Sequence, residues 1–365
     1  MRLCFFLFLL PLFLAAQQPG FYIWQRKSSP ELKSAVIDLQ KFSESRLYML
    51  AGELENDGST TAVPPPFPEL LMSRATPVIR IHINHLQTPP EKLAAAVLEL
   101  YAPWQKCKTL QIDLDAPESK IDYYTNLMKS LRKILPGTQL SATVLPCHLR
   151  HKTEFIKLAQ SCDFYVLQIH GLEKRNGEYS LMERSTVLTA VADAINLKKS
   201  FKLALPFYCH HISGTTIKPD MQFVGSIARF AALQKIGVII FRLGIKGDTD
   251  TLSGNTARNL CKTGKYAPAV RHSWQYTEEG VWYLYIHNDG NFAEKVSLDL
   301  AWRSGFTISD ADTFNGAELS FDRKKFTLTL PPDQEEKLVL WLRTPAAFDR
   351  NHSPLTITRK DTAAK

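Results

Sequence analysis

The sequence predicts an α/β protein: a (β/α)₈ TIM barrel followed by a small C-terminal all-β sandwich. Three observations predict it. Strand-like apolar runs alternate with helical patterns from residue 21 to about 260, as repeated β-α units on a parallel sheet require. The runs number eight, the count at which such a sheet closes on itself. Beyond residue 271 the period changes to short alternating runs separated by turn residues, the pattern of a sandwich.

The eight runs are Phe21 to Arg26, Leu47 to Leu54, Pro77 to His85, Thr109 to Asp115, Gln139 to Pro146, Asp163 to Leu172, Phe201 to His210 and Gly237 to Ile245. Between them, Leu93, Val97, Leu100 and Trp104 recur at helical spacing, as do Ile121, Tyr124, Met128, Leu131 and Leu135. Each set makes one apolar face and is read as core. Pro30-Glu31 and Pro89-Pro90-Glu91 suit first helical turns, and Pro136-Gly137 ends a helix. Asn56 to Pro68, rich in Gly, Ser, Thr and Pro, is a long loop overhanging one end of the barrel. After a lapse from Lys262 to Arg271, the runs Val281 to His287, Lys295 to Leu300, Phe326 to Leu330 and Lys337 to Leu342 alternate. Asn288-Asp289-Gly290-Asn291 and Phe314-Asn315-Gly316 supply turn chemistry between them. The organisation read from this is a signal peptide over 1–16, a barrel over 20–261, a sandwich over 272–344 and a flexible tail over 345–365.

Arg2, the apolar stretch Cys4 to Leu14 and the small residues Ala15-Ala16 form the signal peptide. The apolar stretch is too short to span a bilayer, which takes about 20 residues. Export to the periplasm or the extracellular space follows, with no stable membrane span after cleavage. The five remaining cysteines, Cys107, Cys147, Cys162, Cys209 and Cys261, show no CxxC or zinc-type spacing, and are read as buried thiols. Of 365 residues, 45% are hydrophobic and 22% charged, with a net charge of +8. That balance excludes a disordered, collagen-like or multi-span protein. The basic residues are scattered, so no nucleic-acid partner is read.

In a parallel barrel the site is built at the strand C-termini, where alternate residues point inward. Gln111, Asp113 and Asp115 oppose Leu110, Ile112 and Leu114; Arg80, His82 and Asn84 oppose Ile79, Ile81 and Ile83; Gln168 and His170 oppose Leu167 and Ile169. Trp24, Arg26, Glu53, Tyr208, His210 and Arg242 add polar or aromatic groups at other strand ends. So many polar groups either pair inside the barrel, for example Arg80 with Asp113 and Arg242 with another acid, or line a wet cleft. Two aspartates two residues apart on a strand can approach the carboxyl separations of glycoside hydrolysis, and their mutual repulsion raises one pKa. No GxSxG, GxGxxG or Walker sequence is present, and Cys147-His148 and Cys209-His210 would point to opposite faces of a strand. No cofactor and no metal are expected.

The ordered segments Phe21 to Arg26 (FYIWQR), Leu110 to Asp115 (LQIDLD), Leu140 to Pro146 (LSATVLP), Val166 to His170 (VLQIH) and Leu203 to Tyr208 (LALPFY) resemble the bacterial family called domain of unknown function 3142. The resemblance covers about residues 20 to 260. The same order is similar to the chitinase-type glycoside hydrolases of family eighteen. Asp113 and Asp115 match the two aspartates of that family's fourth-strand DxDxE motif, and Pro206-Phe207-Tyr208 resembles a later segment. Pro117 stands where the glutamate belongs, with Glu118 one residue on, and Ala116 replaces the aromatic. Three readings follow: Glu118 reaches in from a shifted loop, Asp115 takes the acid role, or the barrel only binds glycan. The resemblance implies an exported carbohydrate-active protein of glycoside hydrolase type acting on a poly- or oligosaccharide, with a non-catalytic glycan-binding or envelope scaffold protein as the alternative. Asp113, Asp115 and Glu118 are then the catalytic candidates. Trp24, Arg26, Arg80, His82, Gln168, His170, Tyr208 and Arg242 are the binding candidates. Trp282, Trp302 and Trp341 are read as sandwich core before sugar-stacking faces.

Overall fold

The computed structural model describes residues 18–42, 45–65, 74–266, 270–277, 280–288, 292, 294–302, 310–319, 325–330, 337–344 and 355–359. The proposed signal peptide, part of the proline-rich loop and most of the tail lie outside them. No described helix is long and apolar enough to cross a membrane.

Eight strands run parallel: β1 (Gly20–Ile23), β2 (Leu47–Leu54), β4 (Ala75–Ile81), β5 (Thr109–Asp113), β6 (Gln139–Val144), β7 (Phe164–Gln168), β10 (Phe201–Pro206) and β13 (Gly237–Phe241). Each bonds to the next in the chain, and β1 pairs with both β2 and β13, so the barrel is closed. A short strand β3 (Thr60–Ala62) lies antiparallel on β2 inside the long loop. Helices α1 (Pro30–Phe42), α2 (Pro90–Tyr101), α3 (Ile121–Ile134), α4 (Lys152–Ser161), α5 (Arg184–Asn196), α6 (Met221–Leu233) and α7 (Gly254–Thr263) alternate with the strands. The prolines read as first-turn residues do open α1 and α2. Gly225 of α6 is held to a hydrogen side chain by α7, because a Cβ there would stand 2.6 Å from the Gly264 carbonyl oxygen.

The periodicity of the strands sorts their side chains into two cores. Outward residues such as Leu110, Ile112, Leu140 and Leu203 pack with the helix stripes Leu127, Met128 and Leu131. Inward residues Tyr22, Tyr48, Val78, Val166, Ala204 and Ile239 fill the barrel, joined by Trp24, Phe164 and Phe241. Burying each large side chain stabilises by about 1.5–3 kcal/mol. Polar groups in this interior are paired in part: Gln111 Nε2 donates to Tyr22 Oη at 2.5 Å and to Thr143 Oγ1 at 2.8 Å, while Gln111 Oε1 and Ser141 Oγ are buried without a hydrogen-bond partner among the described residues. Lower down, Lys202 Nζ donates to Tyr48 Oη at 2.9 Å and lies 4.7 Å from the Phe164 ring centroid.

Several strands end before their alternation does. The third barrel strand stops at Ile81, and Ile83–Gln87 is a 3₁₀ turn capped by the His82 ring, whose Nδ1 accepts from Asn84 N–H at 3.3 Å. Likewise Pro146–Arg150 is a 3₁₀ turn, so Cys147 and His148 are not strand residues. Two hairpins rise from strand ends on the same side of the barrel. They are β8 (Glu173–Arg175) with β9 (Glu178–Ser180), and β11 (His210–Ile212) with β12 (Thr215–Ile217). Their tips, Asn176-Gly177 and Ser213-Gly214, all have positive φ, as two-residue turns between twisted strands demand.

The C-terminal part is all-β, as expected. One antiparallel sheet has the order β14 (Val270–Tyr276), β15 (Val281–Asn288), β20 (Lys337–Arg343), β17 (Asp310–Thr313). The other is β18 (Glu318–Leu319), β19 (Lys325–Leu330), β16 (Glu294–Trp302), β21 (Leu355–Arg359). The expected flexible tail is corrected here: Leu355–Arg359 pairs with β16. Its Leu-Thr-Ile-Thr alternation is a strand period, outweighed in the sequence by the polar residues around it. Trp282 is core, with Nε1 donating to Thr344 Oγ1 at 3.2 Å, and Trp341 is half-buried. The Trp302 side chain lies outside the described residues. All five described cysteines are free thiols, four of them buried.

Candidate functional site

Asp113 closes β5 and Asp115 stands two residues on, at the C-terminal mouth of the barrel. Asp113 is half-buried; Asp115 is exposed on the loop that follows β5. Burial pushes the Asp113 carboxyl up from the usual carboxylate range, and the charge of Asp115 adds to this, while the Thr143 hydroxyl and Arg80 oppose it. Burial also raises Asp115, against Arg80 and His148. Thr143 accepts from Gln111 and hydrogen-bonds Asp113, so a polar line runs from the interior tyrosine Tyr22 through Gln111 and Thr143 to the mouth.

His148, passed over in the sequence, is fully buried below this loop. Its Nδ1 accepts from Leu145 N–H at 3.2 Å, and its Nε2 donates to the Ala116 carbonyl at 2.6 Å. The ring thereby pins the chain one residue after Asp115. The signal was the Pro146 beside it, which takes the chain out of the strand. Glu118 does not enter the mouth. It starts a 3₁₀ turn and pairs with Arg150 at 2.8 Å and His151 at 3.3 Å, and Arg150 holds its pKa below the usual value. A carboxylate held ionised in this way is a poor proton donor at neutral pH.

A rim of alternating charge extends from Asp113 across the neighbouring strands. Arg80 lies beside Asp113 in the β4–β5 register and beside Glu53 in the β2–β4 register. Of the two alternatives read from the sequence, the Arg80–Asp113 ion pair is not formed: Arg80 Nη1 meets Glu53 Oε1 at 3.3 Å. The buried Glu53 also takes Arg26, through Nη2 at 3.0 Å and through Nε. A bulge between Leu50 and Gly52 makes this possible. Strict alternation would put Glu53 outward with Met49 and Ala51; the extra residue turns it inward. On the far side, Arg242 pairs with Asp248 at 2.6 Å, the acid the sequence left unnamed.

The opposite wall is aromatic. Trp24, Tyr208 and His170 all pack around Phe241, with ring centroids 5.3, 5.4 and 5.2 Å away. The Tyr208 hydroxyl is 3.4 Å from His170 Nδ1, and His170 Nε2 is buried with no partner among the described residues. Burial drops the His170 pKa to about 3 and lifts Tyr208 to about 12, so both rings are neutral at physiological pH. Gln168 ends β7 half-buried beside Ala204. The structure therefore brings together Asp113, Asp115, Arg80 and Arg26 on one side and Trp24, His170 and Tyr208 on the other. His82 is instead committed to capping its own turn. His210 is exposed on the β11 hairpin; its neighbour His211 pairs with Asp250 at 2.8 Å.

Residues 74–243 match the family described as Domain of unknown function (DUF3142). That span runs from the start of β4 to just past β13. No curated protein matches the chain. Among solved structures, a chitinase from Ipomoea carnea is 12% identical, with 61% of this chain and 94% of that one covered at a TM-score of 0.39. A xylanase and α-amylase inhibitor protein from Scadoxus multiflorus is 11% identical, with coverages of 61% and 93% and a TM-score of 0.39. A thermostable α-L-arabinofuranosidase from Thermotoga petrophila is 13% identical, with coverages of 74% and 75% and a TM-score of 0.30. At these scores the assignment of the barrel rests on its own strand pairing.

Proposed function

We propose that the protein is an exported, carbohydrate-active barrel of glycoside hydrolase type, with its chemistry at Asp113 and Asp115. The observation that carries this is an Asp pair of raised pKa facing an aromatic wall across one mouth. A sugar is amphipathic in the same sense: its C–H faces suit Trp24 and Tyr208, and its hydroxyls suit carboxylates, Gln168 and the neutral His170.

Two close carboxyls retain one proton more readily than isolated ones. In this reading Asp115, the more accessible, gives that proton to the glycosidic oxygen as the bond to the anomeric carbon breaks. Asp113, held by Thr143 and left ionised when the pair's one proton sits on Asp115, stabilises the positive charge that develops on the sugar until water adds to the anomeric carbon and returns its proton to Asp115. Arg80 balances the pair once the proton has left. The aromatic wall and His170 orient the ring.

A second reading has one observation in its favour. Glu118 is tied to Arg150 and Pro117 occupies the motif's acid position, which suits a barrel that binds glycan without cleaving it. Incubating the purified protein with a panel of cell-wall and storage polysaccharides, beside Asp113→Asn and Asp115→Asn, separates the two. Soluble products that vanish in the variants support hydrolysis. Saturable binding with no product in any sample supports the scaffold.

A further inference from the structure

Beside the mouth, between the β1–α1 connection and the segment after β3, lies a recess of about 240 Å³. Its floor includes Ile23, Val63 and Pro64, and its polar edge is Gln25, Arg26 and Lys27. The wall is fixed, since the Trp104 indole N–H donates to the Val63 carbonyl at 3.2 Å. Two cations stand on the edge, and no carboxylate is among the described lining residues. Glu53 lies behind Arg26 and holds it through Nε and Nη2. The guanidinium is thus positioned by a buried acid while its side chain remains 52% exposed, with further N–H donors for another partner. Gln25 Nε2 donates to the Leu243 carbonyl at 3.2 Å. That bond sets the amide so that Oε1 is the acceptor, and Oε1 is buried with no donor among the described residues.

These features define a complementary ligand: an anionic group for Arg26 and Lys27, and an apolar ring face for the floor. We propose that the recess is a subsite for a saccharide unit carrying an anionic substituent, carboxylate or sulfate, so that the substrate class is an acidic glycan. This rests on the carbohydrate reading of the mouth and specifies its substrate. Arg26 joins the two places, since the Glu53 that positions it also binds Arg80 beside Asp113. A planar guanidinium fork matches the oxygens of either anion.

The test is calorimetric binding to the full chain carrying Asp115→Asn, so that the ligand persists. The probes are an oligogalacturonide, a sulfated galactan oligosaccharide and a neutral oligosaccharide of equal length. One anionic probe is expected to bind at least about tenfold tighter than the neutral one, as one charge-assisted contact provides. The stronger of the two identifies the anion. The preference should shrink to about threefold or less in Lys27→Gln and in Arg26→Gln. Lys27 is an exposed residue, so its variant keeps the test valid if Arg26→Gln folds poorly. Equal affinity for neutral and anionic probes, or a preference that survives both substitutions, overturns the subsite and leaves the carbohydrate reading standing. Binding of none of the three, together with none on the polysaccharide panel, overturns both.

Discussion

Glu53 and Arg80 face each other across β2 and β4, with Oε1 3.3 Å from Nη1, because a bulge reverses the side on which Glu53 would otherwise lie. Glu53 thereby draws Arg80 away from a direct pair with Asp113. With less compensation from Arg80, burial and Asp115 dominate the Asp113 carboxyl.

Replacing Glu53 by Gln removes the shared acceptor of two arginines. The loss of charge-assisted bonds at a buried position is expected to cost about 2 kcal/mol, read as a lower urea midpoint. Arg80, released, would move toward Asp113 and lower its pKa, shifting the acid limb of any pH–activity profile to lower pH. An unchanged midpoint would contradict the pairing.

Asp113 binds a proton more readily folded than unfolded, so its ionisation opposes folding. Stability should fall as the pH rises from about 4, the ordinary Asp value, through the raised folded value. Asp113→Asn should therefore stabilise the protein at pH 7.5 relative to wild type, and the gain should vanish near pH 4. Chemical denaturation at both pH values checks this. A variant less stable at pH 7.5 than at pH 4, relative to wild type, would show the reverse linkage.

Activity separates the three carboxylates. Asp115→Asn should lower the release of reducing ends by about 10²–10⁴-fold, the worth of a positioned acid. Glu118→Gln, which frees only Arg150 and His151, should change it by less than about threefold. If the Glu118 variant proves the inactive one, the acid has been assigned to the wrong residue.

His170 carries the opposite linkage from Asp113. Its folded pKa of about 3 lies below the unfolded value near 6.5, so the unfolded chain takes up a proton first as the pH falls. The contribution is neutral above about pH 6.5 and increasingly destabilising down to about pH 3. His170→Phe should flatten the fall in thermal midpoint between pH 7 and pH 4. The same slope in wild type and variant would mean that the ring titrates normally.

Truncation after Thr344 removes β21 and leaves β16 without the neighbour paired along Leu298 to Trp302. An uncovered strand edge invites intermolecular pairing. The shortened chain should show earlier loss of its C-terminal sheets on heating and more aggregation by light scattering, whereas a dispensable tail would leave both unchanged.

The closed barrel was legible because its strands are locally consistent; Leu47 to Leu54 was read to its observed limits. Asp113 and Asp115 were legible for the same reason, since a polar face at the end of an apolar strand is a local signal. The rest depended on contacts distant in the chain. Period alone gives no bulge at Gly52, so it places Glu53 on the wrong face and leaves Arg80 to pair with Asp113. Polar alternation past Ile81 looked like strand until His82 capped a turn there. The hairpin at Asn176-Gly177 was within reach, since that dipeptide is a turn signal, but the long run Asp163 to Leu172 hid the strand end before it. Glu118 required knowing that Arg150, from the next β-α loop, lies beside it.

The seam between Gly20–Ile23 and Gly237–Phe241 joins stretches more than 200 residues apart in the chain. During synthesis the first strand emerges long before its closing partner exists. Until residue 241 has left the ribosome, the growing sheet has two open edges and its interior tyrosines face water. Contacts so non-local slow folding and prolong that exposure. On the export proposed above, the delay would be useful: the barrel cannot lock shut before most of its length is available to a translocation channel that accepts only unfolded polypeptide.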